Sequence, residues 1–560
     1  MISSLRWFRS SGTTDKASPI GHLRINHGLK IELSDMSIYQ NITFYLLTLL
    51  SLGYANSVVA QQETVDNMLQ WEVDQQYGNW RHTGNAAGLL VDRPAHFSVL
   101  QAGYSSQAGD FRRPQEARKS TQADVGTLGN IYLGDLYIQG HFGYARQDRR
   151  AAEYNASLID PFRGMPYMIA DTNASHWANE HYRLGFELAF PLKDDRLQLG
   201  LAMEYRSSSG AKQRDVRALN KFYALQVSPG VVYEIAPQHR IGVNVSYSNH
   251  KEEATNRSVN NEIDQGYFSL YGLGHSIARL GYENLTTTRQ TNYEADRIGV
   301  GLQYGFDGPW FVLLSGNYEV GAENVHVGFM DTRPEGTLLR DDWTVTVAVR
   351  RSQEHWKHII DVKGHWSNAR GSEYINEFVP GLDSDGYMNR YSSVRSTYDK
   401  SGIGASYELI KMNGSQYSYR AKGRLAYGMA KDRYLIPSST FAFEEMLYGA
   451  SFEKAFSLGK GARSFLSIGV SVDYRQSLNA DYHYGGSLPN SLPVADLMVR
   501  ETNYSASDFL VIGVPLVYSF ELSAARETSL FIKGEGFYQR ADQTFFDHRK
   551  GMQVSVGATF

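Results

Sequence analysis

The 560-residue sequence contains no cysteine, which excludes disulfides, thiolate metal sites and a lipid-bearing N-terminal cysteine. Beyond residue 62 no run of roughly 18 uncharged apolar residues occurs, so that part of the chain has no membrane-spanning helix. Proline is scarce, at 15 residues, and a net charge of −4 is too small to argue for a nucleic-acid partner. There is no phosphate loop, zinc spacing or extended basic run, and no cofactor is expected. The abundant residues are 37 Tyr and 52 Gly, which suit twisted sheet and the aromatic girdles of a membrane barrel.

The first 62 residues concern export. From Met36 to Gln62 no charged residue occurs, and the apolar run Ile42 to Tyr54 is followed by Val58-Val59-Ala60, a small-residue cleavage pattern. Residues 36–60 are therefore expected to be a signal peptide cut after Ala60. Residues 1–35 are expected to be an unstructured extension ahead of a start at Met36.

Further on, apolar residues recur with the period of two that turns successive side chains of a strand to opposite faces. In the last segment Met552, Val554, Val556, Ala558 and Phe560 share one face, and Gln553, Ser555, Gly557 and Thr559 share the other. Tyr182 to Leu192, the turn Lys193-Asp194-Asp195 and Leu197 to Tyr205 repeat the pattern as a hairpin. Eight short turns of this kind join sixteen strands; a first strand near 96–107 and the terminal one make eighteen. Sixteen follow if the weakly patterned 96–107, 120–133 and 439–457 segments do not all form strands. The expected fold is all-β: a transmembrane antiparallel β-barrel over residues 96–560 in the Gram-negative outer membrane. Short turns would face the periplasm, and long loops at 149–176, 250–287, 323–340, 368–392 and 476–504 the exterior.

Charge on alternate residues identifies the lumen face, since a charge facing lipid costs about 2–4 kcal/mol near the midplane. Arg420, Lys422 and Arg424 occupy consecutive inward positions of one strand, and Glu187, Glu204, Asp361, Asp473, Glu521 and Glu535 point inward elsewhere. Three aligned cations in an open lumen would attract anions; in a filled one they would pair with these carboxylates.

With its signal peptide, terminal phenylalanine and Tyr-rich, long-looped strands, the chain resembles an uncharacterised family of large outer-membrane barrels found in Bacteroidota. That resemblance implies location and fold, not a substrate. Asn85-Ala86-Ala87-Gly88-Leu89-Leu90 resembles the segment near the start of fatty-acid-transporter barrels whose N-terminal part plugs the lumen, with Ala86 where that family has proline. Residues 61–95 are accordingly expected to be a lumen plug or a periplasmic lead-in. Phe560 is similar to the aromatic signal read by the barrel-assembly machinery, an expected partner along with outer-membrane lipid and other outer-membrane proteins.

Two motifs resemble enzymes. Gly274-His275-Ser276-Ile277-Ala278 resembles the hydrolase nucleophile elbow without its strand-to-helix turn. His365-Trp366-Ser367-Asn368 is similar to the core of outer-membrane phospholipases, and His365 and Ser367 share a strand face. Yet Trp356, Ile360, Val362 and Trp366 claim the lipid side, which leaves the pair in the lumen. Asp383-Ser384-Asp385-Gly386 is only a fragment of a calcium loop, and an ordinary turn is the favoured reading. The chain is expected to be a non-enzymatic pore or non-energised accessory barrel for small molecules; a structural subunit of an outer-membrane complex is the alternative.

Overall fold

The alternation becomes one closed antiparallel sheet of 18 strands. The first, Ser98–Gly109, pairs with Lys119–Leu133 on one side and with the last, His548–Thr559, on the other. Closure leaves no sheet edge with unpaired backbone groups, the condition a sheet must meet in lipid. The Phe560 amide adds one more bond, donating to the Ser98 carbonyl at 3.0 Å. This is a computed structural model, and it describes residues 68–560 except 193–195, 261–265, 281–288, 329–331, 380–385, 415, 459–462, 524–527 and 544–545. The expected extension, the signal peptide and Asp383-Ser384-Asp385 lie outside the described residues.

The outer surface carries the lipid belt. On strand Trp356–Phe378 the outward residues run Trp356, Ile360, Val362 and Trp366, with an exposed tryptophan at each end. Met552, Val554, Val556 and Phe560 are exposed on the last strand in the same way. An apolar band edged by aromatic residues on a closed antiparallel barrel is the surface of an outer-membrane protein, and there this chain resides.

The expected loops at 323–340 and 368–392 are mostly strand. Phe311–Val327 and Arg333–Ser352 pair almost to their tips, as do Trp356–Phe378 and the 27-residue Tyr387–Asn413. A membrane crossing takes only about 9–11 residues. Beyond Trp366 the outward face turns to Asn368 and Arg370 while the ladder continues, so hydrophobic alternation marks the belt and not the strand. A second sheet of three short strands, Met168–Ala170, Gly266–Gly272 and His275–Leu280, forms within the long loops.

Candidate functional site in the barrel lumen

Two bodies of chain lie against the inner wall. At the short-turn end it is the stretch from the helix Met68–Tyr77 to Phe97. Leu69 and Val73 pack on the inward residues Ile359, Ile410, Tyr417, Phe465 and Val517, while Met68 packs with Phe97, Val99 and Phe531. Trp80 and Ala87 pack on Val232, Leu313 and Ala348, and Ala86 and Leu89 on Tyr137 and Ala189. These partners come from strands all around the barrel.

Glycines in the wall make the seat for this segment. A Cβ at Gly200 would stand 2.0 Å from the Ala87 amide nitrogen, one at Gly230 2.2 Å from the Asn85 carbonyl oxygen, and one at Gly305 2.8 Å from the Trp80 ring. Asn85 then fastens the turn: its amide donates to the Val231 and Val243 carbonyls (3.1 and 3.3 Å) and to the Gln303 side chain (3.0 Å). Its oxygen accepts from the Ala87 N–H at 3.2 Å, capping the following 3-10 turn. The helix Met68–Tyr77 is held by ions instead. Lys533 Nζ lies 2.6 Å from Glu72, Lys357 3.9 Å from Asp74, and Arg420 donates to Gln76 at 2.6 Å.

At the long-loop end, residues 153–174 fold inward. Tyr154, Leu158, Met165, Tyr167 and Met168 form a core with the inward wall residues Ala254, Tyr293, Val325, Leu338 and Ala369. Arg163 reaches the buried Glu252 and Glu323, and Lys212 pairs at 2.6 Å with Asp171, both side chains fully buried. Burial pushes the Asp171 carboxyl up, against the pull of the Lys212 ammonium. The helical loop Pro493–Ala506 joins this cap: Arg500 pairs with Glu153 at 2.8 Å, Tyr154 donates to Asp496 at 2.5 Å, and Arg113 of the 110–118 loop pairs with Glu501.

Between this N-terminal segment and the cap, parts of the lumen wall stay uncovered. Three cavities of about 370, 330 and 340 Å³ follow one another along the first four and last three strands of the barrel, the first extending to Arg420 and Glu453, and successive ones share lining residues. The first lies beneath Trp71, Glu72 and Gln75 of the helix, and the last reaches Ile159, Asp160 and Phe162 of the cap. The middle one is lined by Ser105, Gln107, Ser120, Gln122, Gln147, Gln553, Phe537 and Glu535. Amides and hydroxyls both donate and accept, so this wall can solvate a polar solute stripped of water.

The residues expected in the lumen do face it, but the aligned cations are not free. Arg420 binds Glu408 and lies 3.7 Å from Glu453; Lys422 lies 3.3 Å from Glu408; Arg424 binds Asp473. Of the two arrangements open to the aligned cations, pairing is the one observed: Arg420 and Lys422 meet carboxylates of the adjoining strands, and Arg424 meets Asp473 one strand further on. Asp361 pairs with Arg350 at 2.7 Å and Glu204 with Arg183 at 3.0 Å. Glu535 has no ion-pair partner among the described residues and projects into the first two cavities. His365 and Ser367 lie on the lumen face, where the His365 ring meets Thr344 at 3.2 Å. Gly274, at φ +80°, is the turn of a cap hairpin rather than a nucleophile elbow, and His275 is buried against Ser439 (2.8 Å) and Tyr434. No group of three metal-ligating side chains occurs among the described residues. Sequence reading missed Trp80, Arg163 and the Lys212–Asp171 pair, which no periodic pattern announces.

The sequence model of a family of unknown function (DUF6850) matches residues 86–560. The chain belongs to that family. A search of curated proteins finds no match. Solved structures that align with it include the ferric preacinetobactin receptor of Acinetobacter baumannii, at 9% identity and TM-score 0.38 over 83% of this chain and 80% of that one. Others are the unliganded ferric citrate transporter (10%, 0.37, 82% and 78%) and a ferric-catecholate import receptor of E. coli K12 (8%, 0.36, 83% and 81%).

Proposed function

We propose that this barrel takes up small polar solutes, which enter beside the cap, travel along the uncovered wall and leave past the helix Met68–Tyr77. The observation that carries the reading is the row of polar cavities that joins cap to helix along the lumen wall. In this reading residues 68–97 act as a resident plug with two halves. The Trp80–Leu89 half, seated on wall glycines, is permanent; the helix, latched by Glu72–Lys533 and Gln76–Arg420, is the displaceable half. No catalysis is assigned to His365 and Ser367.

Planar-bilayer recordings with the full chain and with residues 63–77 deleted test the proposal. The parent is expected to be closed or nearly so, and the deletion to conduct steadily. A deletion variant that folds, shown by heat-modifiable migration, yet stays closed would sink the uptake reading and favour the structural-subunit role.

A further inference from the structure

The upper cavity, beneath the cap, holds an arginine whose donors go unused. Arg149 lines it together with Gln147, Ser120, His181 and Phe162. Its Nε and Nη2 are shut off from solvent and have no hydrogen-bond acceptor among the described residues. Buried donors are nearly always satisfied, and an orphaned pair points to a missing partner. The two atoms are not an arbitrary pair. They lie on one edge of the guanidinium, spaced to meet the two oxygens of a carboxylate or phosphate in parallel.

The surroundings stack on the flat face of the guanidinium and offer that edge no acceptor among the described residues. The guanidinium carbon lies 5.4 Å from the centroid of the Trp177 ring, a contact that uses the flat face of the cation and none of its in-plane donors. The other charges on the cavity are occupied. Arg549 is paired with Glu116 at 2.6 Å, and the Asp160 carboxylate accepts the Phe162 N–H at 2.9 Å without coming within ion-pair distance of Arg149. His181 meets Ser208 at 2.8 Å.

We infer that this cavity is a binding site for a small oxyanion, a carboxylate or phosphate group received side-on by Arg149, with Gln147 and Ser120 solvating the rest of the molecule. Binding requires the guanidinium to turn, so that its Nε–Nη2 edge, shut off from solvent as it stands, faces the cavity that Arg149 already lines. As a statement about what the barrel carries, this rests on the uptake reading; as a binding site it stands separately.

Calorimetry on the full chain in detergent, with succinate, its neutral isostere succinamide and inorganic phosphate as probes, decides it. Succinate or phosphate should bind and succinamide should not, and which anion binds identifies the source of the oxyanion. Arg149→Gln should weaken binding at least tenfold, Arg149→Lys should restore only part of it, and Asp160→Asn should tighten it by removing the nearest competing carboxylate. Heat-modifiable migration verifies that each variant is folded. Absence of anion binding in the parent, equal binding in Arg149→Gln, or equal binding of succinamide overturns the site. Liposome swelling in the bound anion separates the two claims: binding without passage upholds the site and overturns the uptake reading.

Discussion

The two sides of the lumen wall differ in what their glycines do. On the side formed by residues 197–307, Gly200, Gly230, Gly242 and Gly305 are filled positions, each with plug atoms where a side chain would be. On the side formed by the first three strands, Gly126 and Gly143 also face inward, and a Cβ there would meet nothing nearer than 3.5 Å and 4.0 Å. The same residue thus serves as a seat on one wall and as clearance on the other. The second wall borders two of the cavities, and it carries amides and hydroxyls there where the first carries Val232 against Trp80.

One substitution on each wall should tell the two apart. Gly200→Leu should push the Ala86-Ala87 turn off its seat, because the new side chain would begin 2.0 Å from a backbone nitrogen that cannot move alone. The expected outcome is a barrel that still migrates as folded but loses protease protection of residues 68–97 and gains conductance by an order of magnitude or more. Gly126→Leu should leave that protection intact. If both variants behave alike, the two walls are not distinct.

Next in size is the anchoring of the cap. Lys212→Met leaves Asp171 buried without its cation, and breaking a buried pair from one side costs about 3–5 kcal/mol. Hydrogen exchange across 153–174 should accelerate accordingly while the plug segment stays protected. Asn85→Ala is a smaller change at the other end. It strips the Val231 and Val243 carbonyls and Gln303 of a donor, at about 1–3 kcal/mol, and should loosen Trp80–Leu89 without opening the cap.

The barrel was legible in the sequence wherever lipid imposed a period of two. The hairpin from Tyr182 through Tyr205, the terminal strand and the count of eighteen all came from that constraint. Above the membrane no solvent imposes the alternation, which is why paired residues around 323–340 and 368–392 read as loops. The lumen contents were legible only in part. Inward charges could be placed on a face, but their pairing depends on the register between strands distant in sequence, such as Arg424 beside Asp473. The cap is held by isolated contacts with no repeat at all, Arg163 with Glu252 and Glu323 among them. Arg149 sits in an ordinary strand pattern, and its empty edge is visible only in three dimensions.

The smallest effects should fall on the residues that looked most functional in one dimension. Arg424 is 59% exposed in its pair with Asp473, so the water that reaches it screens the attraction, and an exposed ion pair contributes about 0–1 kcal/mol. Arg424→Gln should therefore leave both stability and protease protection near the parent's. Arg420 is only 12% exposed and joins Glu408, Glu453 and Gln76, tying the wall to the plug helix. Removing it takes the cation from Glu453 and the donor from Gln76, while Glu408 keeps Lys422. Arg420→Gln should raise the parent's low conductance several-fold, with cations favoured by the uncovered carboxylate, and that preference should fade as salt shortens the Debye length from about 10 Å at 0.1 M to about 3 Å at 1 M. Bilayer recordings of the two variants side by side measure the difference. Equal conductance in both would mean that Arg420 is no more part of the latch than Arg424, and that the helix is held by Leu69, Val73 and the Glu72–Lys533 pair without it.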